Sequence, residues 1–265
     1  GSEMCIRDRE YVKLADAQPG VTAKNELWQI YNNVSLFTDD TAMERYQRFQ
    51  DQGLLRQDDF SSSIIDDVKN RRQLETRTYG YDDAVLSKLK VLDGQLDVEK
   101  FVQGGYILLT DIIGDHTEGA SIYKPGEKVK LLVPTEESEL IEDKDETGEV
   151  TGYHWENLGE TEYKVMAIVD IPGSMTDMTF PVNGVQAVIP RQDVEQAMGS
   201  WCFGISYEVE EEYLDSFIQT VKDYSENVNK EMGYLSKDEL VEGFQTMNSS
   251  IRMIGIALSA VIAFV

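Results

Sequence analysis

The sequence VTAKNELWQIYNNVSLF, residues 21–37, decides the fold together with FGISYEVE, residues 203–210. Both stretches mix Val, Ile and aromatic residues with polar ones, a pattern typical of strands. Helix-like segments adjoin them, EYVKLADAQPG at 10–20 and EEYLDSFIQTVKDYSENVNK at 211–230. Because each helix is able to cover one face of a sheet, we predict that the two stretches share one sheet in one lobe.

The middle of the chain is rich in strands and turns. Four further strands are predicted from Val, Ile and Leu content, within FVQGGYILLTDII (101–113), EKVKLLVP (127–134), ETEYKVMAIVD (160–170) and PVNGVQAVIP (181–190). The acidic segment 135–160 predicts a long hairpin with its tip near Thr147 and Gly148. Helices are predicted at 41–55, after a cap at residues 39–41, early in 79–97, and at 191–199.

These patterns predict an α+β protein with two lobes and an appended helix. The division is 1–9 as a non-native segment, 10–77 with 201–236 as one α/β lobe, 78–200 as an inserted β-rich lobe, and 237–265 as a stalk helix that starts a transmembrane helix. A domain whose two ends meet suits a chain whose ends enter the same membrane.

The last residues, MIGIALSAVIAFV at 253–265, are uncharged, and Ser259 is their only polar side chain. A bilayer core needs about 20 apolar residues, so we read this run as the opening of a membrane helix. Its small residues suit close helix packing in lipid. The alternative is a buried helix at the C-terminal end of the chain.

Composition excludes some partners. The 265 residues carry a formal net charge of −25. Nucleic acid is disfavoured because phosphate binding depends on Lys and Arg, and anionic lipid headgroups repel the same surface. Cationic ligands are favoured, although acidity is also common among soluble proteins.

Cysteine is scarce, and the first residues do not resemble part of a fold. Cys5 and Cys202 are the only two cysteines, which rules out a disulfide framework. Gly1 and Ser2 read as a cloning scar, and EMCIRDR at 3–9 resembles a translated sequencing adapter. We therefore expect the natural protein to continue upstream of Glu10.

No motif predicts a metal or cofactor site. The segment 143–148 begins like a calcium loop, but His154 stands where an EF-hand has its bidentate Glu, so a solvated hairpin tip is favoured. His116 and His154, the only histidines, have no Cys or His at ligand spacing. Cys202 reads as a small core residue rather than as a nucleophile paired with His154.

Enzymatic chemistry also lacks its usual loops. The sequence contains no phosphate-binding glycine loop and no G-x-S-x-G motif, so we predict no catalytic and no cofactor-binding residues. Trp28, Tyr31, Phe37 and the loop DIPGSMTDMTFPVNG (170–184) are rich in apolar groups. This loop, with Met175, Met178 and Phe180, either folds back onto its own lobe or forms a recognition surface.

Four segments together resemble the FtsX-like, MacB-type permeases of ABC transporters in Gram-positive bacteria. They are QPGV (18–21), YGYDDAVLSKLKVLDGQLDVEKFVQGGYILLTD (79–111), YKVMAIVDIP (163–172) and YLSKDELVEGFQTMNSSIRMIGIALSAVIAFV (234–265). The resemblance implies an extracellular domain between the first and second transmembrane helices, with a ferredoxin-like porter lobe built from both ends and a β-rich inserted lobe.

The resemblance also implies partners and a location. ATP would be hydrolysed by a separate cytoplasmic ATPase subunit, and a second permease copy or homologue would complete the transporter in the cell membrane. The domain would transmit motion on the extracellular face, where a peptide, lipoprotein or other protein is the possible partner. The alternative is a ligand-binding or sensor module without mechanical coupling.

The segment before the membrane run predicts a lever. Ser236 and Glu239 form a capping box at its start, and no Pro interrupts residues 240–265. A continuous helix transmits displacement, and Gly243 is its possible weak point.

Overall fold

The computed structural model describes residues 3–115, 118–145, 147–177 and 181–228. The predicted stalk helix and membrane run, residues 237–265, lie outside these ranges, as do Ser236, His116, Met178 and Phe180.

The described residues form seven helices and ten strands. The helices are α1 Glu3–Asp16, α2 Asp40–Asp51, α3 Asp59–Arg71, α4 Asp83–Leu86, α5 Val98–Val102, α6 Arg191–Gln196 and α7 Glu211–Asn227. The strands are β1 Val21–Phe37, β2 Gln73–Tyr81, β3 Lys90–Gly94, β4 Tyr106–Leu109, β5 Lys128–Val133, β6 Glu139–Lys144, β7 Val150–Glu156, β8 Gly159–Asp170, β9 Val185–Val188 and β10 Ser200–Val209.

Eight of these strands form one mixed sheet in the order β10-β1-β2-β9-β4-β8-β3, with β5 pairing with both β1 and β8. β1 and β10 are neighbours, which confirms the prediction that residues 21–37 and 203–210 share a sheet. The same sheet also contains β3, β4, β5, β8 and β9, which belong to the segment predicted to form a separate inserted lobe. β2 pairs parallel to β9, and β4 pairs parallel to β8, whereas β1 and β2 are antiparallel. β6 and β7 form a separate antiparallel hairpin, as predicted for the acidic segment.

The chain divides into two compact units. The terminal unit contains residues 1–24 and 207–265, and the central unit contains residues 25–206. These bounds differ from those of the predicted lobes, and β2 runs across the predicted boundary between residues 77 and 78. The porter-like architecture of the lobes stays a prediction. α1 begins at Glu3, so the segment predicted to be non-native overlaps a helix.

The central unit has apolar side chains on both faces of its sheet. Leu74 of β2 belongs to one buried cluster with Tyr46 and Phe49 of α2. Tyr79, an odd number of residues further along the same strand, belongs to a second cluster with Phe101 of α5. Since successive side chains of a strand point to opposite faces, the two clusters lie on opposite faces of β2.

The terminal unit has a much smaller core. Its buried cluster consists of Ala15 of α1 with Phe217 and Val221 of α7. On the same helix, Leu214, Ile218 and Tyr224 are half-buried.

Four elements were not predicted from the sequence, α3, β2, β3 and α5. β2 carries polar residues at Gln73, Glu75 and Arg77, which hide the strand pattern, but the residues between them are the buried ones. Thr76 and Thr78 are each 1% exposed, so hydroxyl residues occupy positions where apolar side chains were the expected signal.

Candidate functional site

The helices α1 and α7 pack side by side in the terminal unit. The rings of Tyr11 and Tyr224 have centroids 5.2 Å apart, and the Thr220 hydroxyl lies 3.5 Å from the side-chain oxygen of Gln18. Tyr11 of α1 contacts α7 near its C-terminal end, whereas Gln18, two residues after α1, contacts Thr220 closer to the start of α7, so the helices are antiparallel. The N-terminus of α1 and the C-terminus of α7 therefore lie at the same end of the pair.

Polar contacts hold the opposite end of this helix pair. The Asp16 carboxylate accepts hydrogen bonds from Lys24 at 2.9 Å and from the Tyr207 hydroxyl at 2.9 Å. The hydrogen bond from Lys24 is the main cause that lowers the pKa of Asp16. The backbone amide of Glu210 donates to Gly20 at 2.8 Å, which closes the turn between α1 and β1 onto the start of α7.

Gly20 is required at this turn for two reasons. Its φ is +78°, a conformation that L side chains rarely adopt. A Cβ atom at this position would also lie 2.4 Å from Cδ2 of Tyr213. The glycine thus allows the chain to reverse directly against α7.

An ion cluster surrounds Arg191, the first residue of α6. Its guanidinium donates to Asp82, to Glu26 and, at 2.5 Å, to Glu195. The same group lies 5.7 Å from the centroid of the Trp28 ring. Because the Arg191 side chain is 30% exposed, this cluster fixes α6 against β1 without forming a closed site.

Gly80 explains why α6 lies so close to β2. A Cβ atom here would be 2.8 Å from Cγ2 of Val194 and 3.0 Å from Cα of Arg191. A larger residue would push α6 away from the sheet and separate Arg191 from its carboxylates.

A cavity of about 120 Å³ lies between the β6–β7 hairpin and the main sheet. It is lined by Ser35, Ile64, Arg71, Gln73, Glu75, Tyr153, His154, Trp155 and Leu158. Burial raises the pKa of Glu75, and the charge of Arg77 opposes this rise. Two ion pairs, Arg77 with Glu75 at 3.3 Å and Arg71 with Asp143 at 2.8 Å, balance charge beside the cavity.

The residues that resembled a calcium loop form a tight turn. Oδ1 of Asp145 accepts from the backbone amides of Thr147 and Glu149, at 2.8 and 3.0 Å, and from the Thr147 hydroxyl at 2.7 Å. These hydrogen bonds, that of the hydroxyl first, lower the pKa of Asp145. In the described part of the chain, no three His, Cys, Asp or Glu side chains are grouped to hold a metal ion.

Cys202 and His154 lie in different elements with different neighbours. The Cys202 thiol is half-buried in β10 and donates to the Gly204 carbonyl at 3.3 Å, and burial is the main cause that raises its pKa. Nδ1 of His154, in β7, lies 2.9 Å from Oδ1 of Asp143. A thiol with a raised pKa is a weak nucleophile at neutral pH.

The described part of the apolar loop folds back onto the central unit. The Tyr81 hydroxyl donates to the Met175 carbonyl at 2.6 Å, and the Tyr79 hydroxyl donates to Asp177 at 3.0 Å. Met175 also packs against the second buried cluster. Of the other aromatic candidates, Trp28 is half-buried and Phe37 is 38% exposed, and the side chain of Tyr31 lies outside the described set.

None of the described helices has both the length and the apolar content needed to cross a membrane.

Comparison with known proteins gives structural likenesses only. No protein-family model matches the chain, and no curated protein matches it. The extracellular domain of the noncanonic ABC-type transporter YknZ from Gram-positive bacteria is 9% identical, with 78% of this chain and 76% of that chain covered and a TM-score of 0.39. The periplasmic region of MacB from Actinobacillus actinomycetemcomitans is 8% identical, with 89% and 82% covered and a TM-score of 0.39.

Proposed function

We propose that this chain is the extracellular domain of an ABC transporter permease and that it transmits ATPase-driven motion across the membrane. The domain would export or extract a substrate, or regulate an extracellular partner, without catalysing a reaction itself. Its ATP-hydrolysing partner is a cytoplasmic ABC ATPase subunit, and its partner in the membrane is a second permease copy or homologue.

The observation that carries the proposal is the antiparallel pairing of α1 and α7. Tyr11 and Tyr224 pack against each other, so the start of α1 and the end of α7 lie at one end of the helix pair. A domain inserted between two membrane helices needs this arrangement, because both of its ends return to the same membrane surface.

Surface charge supports the extracellular placement. A net charge of −25 is repelled by anionic headgroups, so the domain stands away from the bilayer and is held by its two ends. The same charge disfavours nucleic acid as a partner.

The rival function is an extracellular ligand-binding or sensor module. It shares the fold and the placement but needs no mechanical connection between the helix pair and the membrane. The two functions therefore differ in what happens when the connection after α7 is made flexible.

The test replaces Gln245 and Thr246, which lie outside the described residues, with a Gly-Gly pair in the complete permease. Glycine weakens a helix by about 1 kcal/mol per residue relative to Ala, so a continuous helix would lose stiffness there. We expect transport and its coupled ATP hydrolysis to be lost in the reconstituted complex, while the domain folds and binds partners normally.

The matched control places the same Gly-Gly pair at Glu136 and Glu137, which are exposed residues of the turn before β6. This variant should transport normally, since no helix is interrupted. Normal transport by the Gln245 and Thr246 variant would leave the sensor module as the better description.

A further inference from the structure

Asp or Asn directly precedes Gly at two places in the sequence, Asp93-Gly94 and Asn183-Gly184. Such pairs are open to a spontaneous covalent change, because glycine has no side chain to shield its backbone nitrogen from the side chain before it. In an unfolded chain the Asn pair is the more reactive, since a side-chain amide is attacked more readily than an ionised carboxylate. The structure places the two pairs in opposite settings.

Asp93 and Gly94 lie at the exposed end of β3. This strand ends the strand order of the main sheet, and a bulge interrupts its pairing with β8 between Val91 and Asp93. The backbone amide of Gly94 donates a hydrogen bond of 2.8 Å to Oδ1 of Asp93. The carboxyl group of Asp93 therefore lies against the nitrogen atom with which it would react.

Packing requires the glycine at position 94. Its φ is +83°, a conformation that L side chains rarely adopt. A Cβ atom here would lie 2.7 Å from the carbonyl oxygen of Met166 and 2.8 Å from Cγ of Pro125. The close approach that excludes any larger residue thus also leaves Asp93 beside an unshielded nitrogen.

Asn183 is held in the opposite way. It is 0% exposed, its Oδ1 accepts from the backbone amide of Arg56 at 2.8 Å, and its Nδ2 donates to the carbonyl of Arg56 at 3.1 Å. The backbone amide of Gly184 donates to the carbonyl of Pro181 at 3.4 Å. Both reacting groups of this pair therefore have other partners, and burial keeps water away from the side chain.

We propose that Asp93 is a site of spontaneous isomerisation to isoaspartate and that the fold protects Asn183, which reverses the order of reactivity expected from the sequence. The backbone nitrogen of Gly94 attacks Cγ of Asp93, and a hydroxyl of the neutral carboxyl group leaves with the amide proton as water, giving a cyclic succinimide. Water then opens the ring. Opening at the backbone carbonyl of Asp93 gives isoaspartate, and opening at the side-chain carbonyl restores aspartate.

This change alters the main chain of β3. In isoaspartate the Cβ atom of residue 93 becomes part of the backbone, which is then one atom longer between residues 93 and 94. Asp93 is paired with Ile168 and Gly94 with Ala167, and the longer backbone does not keep both pairings. Isomerisation therefore loosens the end of β3 from β8. It needs water alone, so the proposal does not depend on the proposed function.

The first experiment incubates the folded 265-residue chain in water enriched in heavy oxygen. The buffer is held at about pH 6, where a small fraction of carboxyl groups is neutral and able to react. Mass spectrometry of peptides should show heavy oxygen and isoaspartate accumulating at Asp93, because water opens the succinimide. The peptide that contains Asn183 should stay unchanged.

A matched variant makes the two pairs chemically identical. With Asp93→Asn both pairs are Asn-Gly, so any difference in the folded chain comes from the structure. Deamidation at position 93, read from its mass gain, should be about tenfold or more faster than at Asn183, because a buried pair reacts only when the structure opens. In urea the two rates should be similar.

The control variant is Asp93→Glu, in which the side chain would have to close a larger ring that forms far more slowly. It should take up no heavy oxygen at position 93. Circular dichroism establishes that both variants are folded before rates are compared.

Three results would overturn the proposal. One is the absence of isoaspartate at Asp93 in the folded original chain, which would show that β3 holds the carboxyl group away from reaction. Another is deamidation of the folded Asp93→Asn variant at equal rates at both positions, or faster at Asn183. The third is a difference between the positions that persists in urea, which would assign it to local sequence. None of these results bears on the Gln245 and Thr246 test of the proposed function.

Discussion

The central and terminal units differ in how their apolar side chains are buried. The central unit encloses its sheet between two large clusters, with Tyr46 and Phe101 both 0% exposed. Among the side chains of the terminal unit that the structure describes, three apolar ones are buried, those of Ala15, Phe217 and Val221. Its remaining contacts are half-buried rings and exposed polar pairs such as Lys24 with Asp16.

This difference predicts that the terminal unit opens locally at a lower free energy than the central unit. Regions with few buried apolar contacts open with smaller free energies than the core of the same protein. We therefore expect the terminal unit to open locally while the central unit stays folded.

The largest effect is expected from a substitution in the central unit. Phe101→Ala removes a ring that is fully buried in the second cluster, and such changes cost about 3–5 kcal/mol. Urea denaturation followed by circular dichroism should show a lower midpoint for the cooperative transition of the whole central unit. A decrease of less than about 1 kcal/mol in the free energy of unfolding would mean that the central core tolerates loss of this ring. The proposed difference in core stability between the two units would then be wrong.

A smaller effect is expected from the matched substitution in the terminal unit. Phe217→Ala removes a ring that is 9% exposed and packs on Tyr207 at 5.4 Å between centroids. We expect a cost of about 1–2 kcal/mol, within the usual range for single substitutions, because the small cluster is able to collapse.

Hydrogen exchange shows where this loss occurs. Protection should fall in residues 10–24 and 207–227 and remain unchanged in β2, β4 and β9 of the central unit. A matching loss of protection in β4 would show that the two units unfold together, which contradicts the comparison.

The smallest effect concerns the pH dependence of one ion pair in the central unit. Arg45 donates two hydrogen bonds of 2.7 Å to Glu127, and these lower the pKa of Glu127 from its usual 4.5. A lowered folded-state pKa gives stability that is present above the unfolded pKa and lost as pH falls through the folded value. Since the Glu127 side chain is 34% exposed, we expect less than about 1 kcal/mol.

The measurement compares urea denaturation of Glu127→Gln with that of the original chain at pH 7 and at pH 3. The variant should be less stable at pH 7, and the difference should shrink at pH 3. Glu75→Gln is the control of opposite sign, because burial raises the pKa of Glu75. The ionised Glu75 side chain costs stability as pH rises, so this variant should gain relative stability between pH 4 and pH 7.

Elements with a strong local signal could be predicted from the sequence. Asp39 caps α2 by accepting from the Ala42 amide at 2.8 Å, and Gly148 ends the hairpin turn with a φ of +85°. Both signals lie within a few residues of the element that they define. Strands β4, β5, β8 and β9 were recognised for the same reason, since each contains a short run rich in Val, Ile, Leu or Ala.

The ion cluster and the sheet order could not be predicted, because they join distant residues. Arg191 donates to Asp82, 109 residues away, and to Glu26, 165 residues away. The sequence contains 49 Asp and Glu residues, so no particular pair stands out. The parallel pairing of β2 with β9 could not be predicted for the same reason, since the sequence of neither strand indicates its partner.

The exposed apolar side chains of the β6–β7 hairpin, those of Leu140, Val150 and Tyr153, were only half visible in the sequence. The segment 135–160 predicted the hairpin and its acidity, but not which of its apolar residues would face solvent. That distinction depends on the bulge between Asp143 and Lys144, which shifts Val150 onto the face of Tyr153.

The hydrogen bond between Glu210 and Gly20 also sets an order for synthesis. Its two residues are far apart in the sequence, so the terminal unit cannot close until residue 210 has been synthesised. Residues 25–206 contain both large clusters and are complete by then, so we expect them to fold first on the ribosome. The packing of α1 against α7 therefore forms only after α7 has been synthesised, and the terminal unit folds after the central unit.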